Sequence, residues 1–84
     1  MQIYIGNLSR LTTVSHLVSL FLPFGAVRAS KIVRDESTGH SLGFGFVEME
    51  PHCGLRAIQK LNRLLFMNSY MEVNEVEARS FSSI

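Results

Sequence analysis

Hydrophobic periodicity along this chain changes between two residues and about 3.6 residues in the order strand, helix, strand, strand, helix, strand, and few folds accommodate that order. Gln2 to Gly6 reads QIYIG, which turns Ile3 and Ile5 to one side and Gln2, Tyr4 and Gly6 to the other. Asn7-Leu8-Ser9 supplies turn chemistry, and Thr13 can cap a helix with Val14, Leu17, Val18 and Phe21 at i, i+3, i+4 and i+7. Pro23 and Gly25 end it. Val27 to Val33 is a second strand with weaker alternation, and the polar run Asp35 to Ser41 suits a hairpin connection. In a third strand, Gly43 to Glu48, Phe44, Phe46 and Glu48 share one face, while Gly45, Val47 and then Met49 share the other.

Pro51 suits the first turn of a second helix, whose Gly54, Ala57, Ile58 and Leu61 repeat the helical spacing. Gly54 there predicts close packing of helix on sheet. A loop from Arg63 to Ser69 leads to a last strand, Tyr70 to Glu75, with Met71 and Val73 inward and Glu72 and Asn74 outward. The order predicts one α+β domain of the ferredoxin-like split β-α-β type, a four-stranded antiparallel sheet carrying both helices on one face. The other face is then bare, and what stands on it decides the function.

Composition narrows the field without choosing. With 46% hydrophobic and 18% charged residues the chain can build a core. A lone Cys53 allows no internal disulfide, which makes a reducing compartment the default. No apolar run approaches the ~18–20 residues of a membrane span, and the N-terminus has no signal-peptide pattern. A net charge of +1 gives no hint of a nucleic-acid partner.

The bare face should carry Tyr4, Phe44 and Phe46. Three rings turned to water are costly unless something covers them. Reversing the faces would bury the rings, but it would expose Ile3, Ile5, Val47 and Met49 together.

At these residues the sequence resembles the RNA-recognition motif family, and small single-motif bacterial RNA-binding proteins in particular. Ile3-Tyr4-Ile5-Gly6-Asn7-Leu8 matches the family's short submotif throughout, and Leu42-Gly43-Phe44-Gly45-Phe46-Val47-Glu48-Met49 matches its eight-residue submotif at positions two to six. The family's Asp-x-x-Thr-Gly turn is present as Asp35 to Gly39. The resemblance spans about Gln2 to Glu77, so residues 1–77 are expected to form the motif and 78–84 a Ser-rich tail. It implies a single-stranded RNA ligand. The rings matching Tyr4 and Phe44 would each stack a base, and the ring matching Phe46 would pack against sugars or between nucleotides. Gln2, Lys31, Glu48, Glu72, Asn74 and Arg79 would supply secondary polar contacts. Single-stranded DNA is a candidate on the same grounds, since stacking does not read the 2′-hydroxyl.

Two departures bear on strength. Leu42 stands where the family carries a phosphate-pairing Lys or Arg, and Glu72 where many members are basic; Met49, in place of a final aromatic, fills a core position. Two stacked bases at roughly 1–3 kcal/mol each leave little after ordering costs. The expectation is micromolar or weaker binding, one micromolar corresponding to ~8 kcal/mol.

Other chemistry is poorly supported. Adjacent His52-Cys53 lacks zinc-ligand spacing, His16 and His40 read as solvent-facing, Cys53 reads as a small packed residue, and no nucleophile–base set stands out, so no cofactor, metal or catalytic residue is expected. The acylphosphatases share this topology. They resemble one another in a phosphate cradle after the first strand, and here only Arg10 echoes it. A stronger rival is a protein-interaction module of the same fold. Leu64 and Leu65 are surplus apolar residues in a segment the family usually keeps polar, either tucked against the second helix or forming a patch for a partner or for self-association. Phe81 could fold back over the sheet. As a whole protein the chain would be a stand-alone cytoplasmic RNA binder; as an excised domain it would leave the compartment open, the nucleus included.

Overall fold

The computed structural model describes residues 1–76. Along them run β1 (Gln2–Gly6), α1 (Val14–Phe21), β2 (Val27–Arg34), β3 (Ser41–Met49), α2 (Pro51–Leu61), the short strands β4 (Leu65–Phe66) and β5 (Ser69–Tyr70), and β6 (Glu72–Glu75). Four strands make an antiparallel sheet in the order β2-β3-β1-β6, while β4 and β5 pair as a separate hairpin. This is the ferredoxin-like sandwich that the order of periodicities predicts. Arg79 and Phe81 lie outside the described residues.

The core forms where the sheet's inward residues meet the helices. Ile3, Ile5, Val47, Met49 and Val73 from the strands and Met71 just before β6, with Leu17, Phe21 and Ala57 from the helices, lose nearly all contact with water. Burying a Leu, Ile or Phe side chain contributes about 1.5–3 kcal/mol. Gly54 is buried where a Cβ would run into Met1 and the Ile3 side chain, so the glycine permits the close helix–sheet approach.

Thr13 caps α1 reciprocally: its Oγ1 accepts from the His16 amide at 3.2 Å, and His16 Nδ1 accepts from the Thr13 amide at 2.9 Å. His16 is therefore half-buried, edge-on to Phe66 with ring centroids 5.9 Å apart, rather than solvent-facing. The buried stripe of α1 also differs from expectation. Val14 is exposed, because it opens the first turn beyond the sheet, and Leu17, Leu20 and Phe21 do the packing. The weak alternation of β2 has a physical cause in register shifts between Val27 and Ala29 and between Ile32 and Arg34.

Two half-buried carboxyls secure turns. Asp35 Oδ1 accepts from the amides of Ser37 and Thr38 at 2.8 and 3.0 Å, and Glu50 caps α2 by accepting from the Cys53 amide at 3.2 Å. These backbone donors favour the charged forms and hold both carboxyls below their ordinary values of 3.8 and 4.5. Their contribution is complete above those values and is lost as pH falls through the lower folded-state ones. Glu50→Ala is expected to lower the urea midpoint at pH 7 and to matter progressively less at pH 3, in denaturation curves recorded at both.

The segment expected as a loop from Arg63 to Ser69 contains the β4–β5 hairpin, and the last sheet strand starts at Glu72 rather than Tyr70. Met67 and Asn68, with φ of 51° and 66°, form the two-residue loop. Positive φ at both central residues is the type I′ pattern, usually announced by Asn-Gly, so Met-Asn gave no turn signal. Tertiary bonds hold the hairpin: Asn7 Nδ2 donates to the Tyr70 carbonyl at 2.7 Å, and the Arg63 amide donates to the Met71 carbonyl at 2.7 Å. Leu64 and Leu65 do not tuck against α2; they are 44% and 53% exposed.

Candidate nucleic-acid interface

Period-2 alternation turns Tyr4 of β1 and Phe44 and Phe46 of β3 away from the core, onto the face the helices leave open. Each ring is half-buried. Centroids are 5.9 Å apart for Tyr4–Phe44 and Tyr4–Phe46 and 6.2 Å for Phe44–Phe46, with interplanar angles of 38°, 63° and 85°. Tilted and edge-on pairs at such distances contribute about 0.5–1.5 kcal/mol each. The rings therefore hold one another in place before any ligand arrives.

Register organises the surface further. Lys31 is the Cα partner of Phe46, Phe46 of Tyr4, and Tyr4 of Asn74, so one row crosses all four strands as cation, ring, ring and amide. Lys31 Nζ lies over the Phe46 ring, 5.3 Å from its centroid. Gln2 and Glu48 are partners in the next row. Phe44 sits outside the regular β2–β3 ladder, whose pairs pass from Ile32–Gly45 to Arg34–Ser41. Gly43, at φ 82°, makes that irregularity, and its amide donates to Ser41 Oγ at 3.0 Å.

Two cavities flank the rings. One of about 270 Å³ lies on the β2 side, lined by Gln2, Lys31, Phe46 and Glu48 among others. Another of about 390 Å³ lies at the β6 side, where Glu72 and Asn74 meet Asn7, Asn62, Arg63 and Tyr70. Leu42 is exposed at the start of β3 and brings no charge. Arg10 stands exposed in the turn after β1.

The family model described as the RNA recognition motif matches residues 3–72. The chain belongs to that family. This RNA recognition motif is 39% identical over 80 residues to "Putative RNA-binding protein RbpE" of Nostoc sp., covering 94% of this chain and 81% of that one. Among solved structures it is similar to one described as RNA binding protein PG1, with a TM-score of 0.89, 38% identity and coverage of 90% and 93% of the two chains. It is also similar to a chain in an SXL-lethal protein/RNA complex, with a TM-score of 0.86, 28% identity and coverage of 90% and 46%.

The remaining chemistry of the motif is sparse. Among the described residues no three His, Cys, Asp or Glu side chains gather as metal ligands, and no helix is long and apolar enough to cross a membrane. The thiol of Cys53 is pushed up by its hydrogen bond to Glu50 and by desolvation, which disfavours the thiolate. Sequence reasoning named Glu72 and Asn74 but missed Arg63 and Tyr70. These two reach the sheet edge only because the hairpin is fastened to Asn7 and Met71.

Proposed function

We propose that the protein binds short single-stranded RNA across the open face of its sheet, stacking consecutive bases on Phe46 and Tyr4. The observation that carries this is the single row of Cα partners Lys31, Phe46, Tyr4 and Asn74. A strand laid across the sheet meets a cation for its phosphate, then two aromatic faces, then an amide at a base edge. Phe44, outside the regular ladder, packs against sugars between them. This exchanges the roles expected for the two phenylalanines, because cross-strand neighbours offer bases a more direct path than a residue at a bulge. Gln2 and Glu48 line the cavity beside Phe46 and are the polar groups for reading the base there. The relatives named as RNA-binding proteins support RNA as the ligand. Stacking is indifferent to the 2′-hydroxyl, so single-stranded DNA is a second ligand of the same face. No chemical step is involved, and the cytoplasm suits a chain with one free cysteine.

Affinity should be micromolar or weaker, with the balance of 8 basic against 7 acidic residues giving a small electrostatic component. Each neutralised phosphate contributes roughly −0.7 to the log–log salt slope on single strands, so the expected slope is shallower than about −4. Titrations between low and physiological salt read it directly.

Amide-shift mapping with a pool of random short RNAs tests the whole reading. Perturbations should concentrate on Tyr4, Phe44 and Phe46 and on the Lys31 and Asn74 ends of their row. Silence on those rings, with changes confined to Leu64 and Leu65, would overturn it.

A further inference from the structure

We propose that the cavity at the β6 edge is a guanine-reading subsite, which takes the nucleotide beyond the one stacked on Tyr4. This deepens the RNA-binding reading and rests on it. The cavity measures about 390 Å³, within the range of small-ligand sites. It adjoins the aromatic row: Asn74 is the Cα partner of Tyr4, and Glu72 that of Gly6, next but one along β1. An RNA strand leaving Tyr4 over β6 therefore arrives at it.

Its lining has what a base needs. The Tyr70 ring is 62% exposed and offers a stacking wall. Arg63 brings five fixed donors while its own backbone amide is committed to Met71, and Glu72 brings a carboxylate. An ionised carboxylate only accepts, so it selects for adjacent donors. Guanine alone among the four bases has two neighbouring donor groups, N1–H and the 2-amino group, on its pairing edge. Adenine and cytosine turn a ring-nitrogen acceptor towards such a carboxylate, and uracil flanks its single N–H with carbonyl oxygens; each of these repels. Guanine also has O6 and N7 as a paired acceptor site for arginine. Glu72, unhelpful to phosphate binding, becomes on this account the group that chooses the base.

The test compares pentauridylate with five variants carrying one guanine each, by fluorescence anisotropy. One position should gain about fivefold or more in affinity. Replacing that guanine by inosine, which lacks the 2-amino group, should remove most of the gain. Glu72→Gln should erase the preference, so that the guanine-bearing RNA and pentauridylate bind with equal affinity whatever the common change from the lost charge, and Tyr70→Ala should weaken the guanine-bearing RNA selectively. If wild type binds pentauridylate on its rings but gains nothing from any guanine, or if Glu72→Gln keeps the gain, the guanine subsite is wrong and the platform stands. If wild type binds none of these RNAs, or binds them equally well after Tyr4→Ala with Phe46→Ala, the RNA-binding reading itself fails.

Discussion

Replacing Tyr4 and Phe46 together by alanine should weaken short-RNA binding by about 30-fold or more while leaving the fold intact. Each stacked base contributes roughly 1–3 kcal/mol by alanine substitution, and 1.4 kcal/mol is a factor of ten. The two losses will not simply add, because each ring helps hold the other at 5.9 Å. Removing Phe46 also frees the Lys31 ammonium that lies over it. Phe44→Ala should cost less, since on the proposed path that ring packs against sugars rather than under a base. The fold tolerates these changes because the core lies on the opposite side of the sheet, in Ile3, Ile5, Val47 and the helices. Anisotropy titrations alongside circular dichroism decide it: a folded double variant that binds within about threefold of wild type would remove stacking as the source of affinity.

The largest effect on stability should come from Gly45. A Cβ at this position would run into backbone, the Lys31 carbonyl and the Ile32 Cα of β2. Backbone in a paired strand cannot swing aside as a side chain can. Gly45→Ala is thus expected to cost about 1–3 kcal/mol, the usual range for overpacking, and Gly45→Val more. A chain of 84 residues has only about 4–12 kcal/mol to lose, at ~0.05–0.15 per residue. Thermal midpoints should fall by about 4–8 °C per kcal/mol. An unchanged midpoint in Gly45→Ala would mean that β2 separates from β3 at Lys31 without penalty. Since Lys31 and Phe46 are partners at the same place, a destabilised Gly45→Ala should also bind RNA less well.

The fold was legible in the sequence because its signals are local. Alternation in Gln2 to Gly6 and around Phe44 and Phe46 separates the faces, and the i, i+3, i+4, i+7 spacing of Val14, Leu17, Val18 and Phe21 or of Gly54, Ala57, Ile58 and Leu61 marks the helices, although Leu20 rather than Val14 does the packing in α1. What was hidden depends on contacts distant in sequence. The β4–β5 hairpin has strands of two residues, too short for periodicity, and is held by Asn7 and by Met71. Leu64 and Leu65 could be read as packing residues or as a patch, because apolar character alone carries no direction; the ladder that fixes their exposure closes through Arg63 and Met71. The aromatic half of the candidate site could be read from β1 and β3, whereas its β6 cavity needed the hairpin in place.

The strand order also changes what a net charge of +1 means. One edge of the sheet, β2, carries Arg28, Lys31 and Arg34, and the other, β6, carries Glu72 and Glu75. A net charge close to zero thus conceals a gradient of charge within the strands themselves, from β2 to β6 along the row that RNA would follow. Such a molecule attracts a polyanion weakly from afar but exerts a torque on it nearby, drawing phosphates towards β2 and turning them away from β6. Orientation on the sheet would then be chosen before any ring is touched, with the sugar–phosphate chain anchored at one edge and a bare base presented to the other.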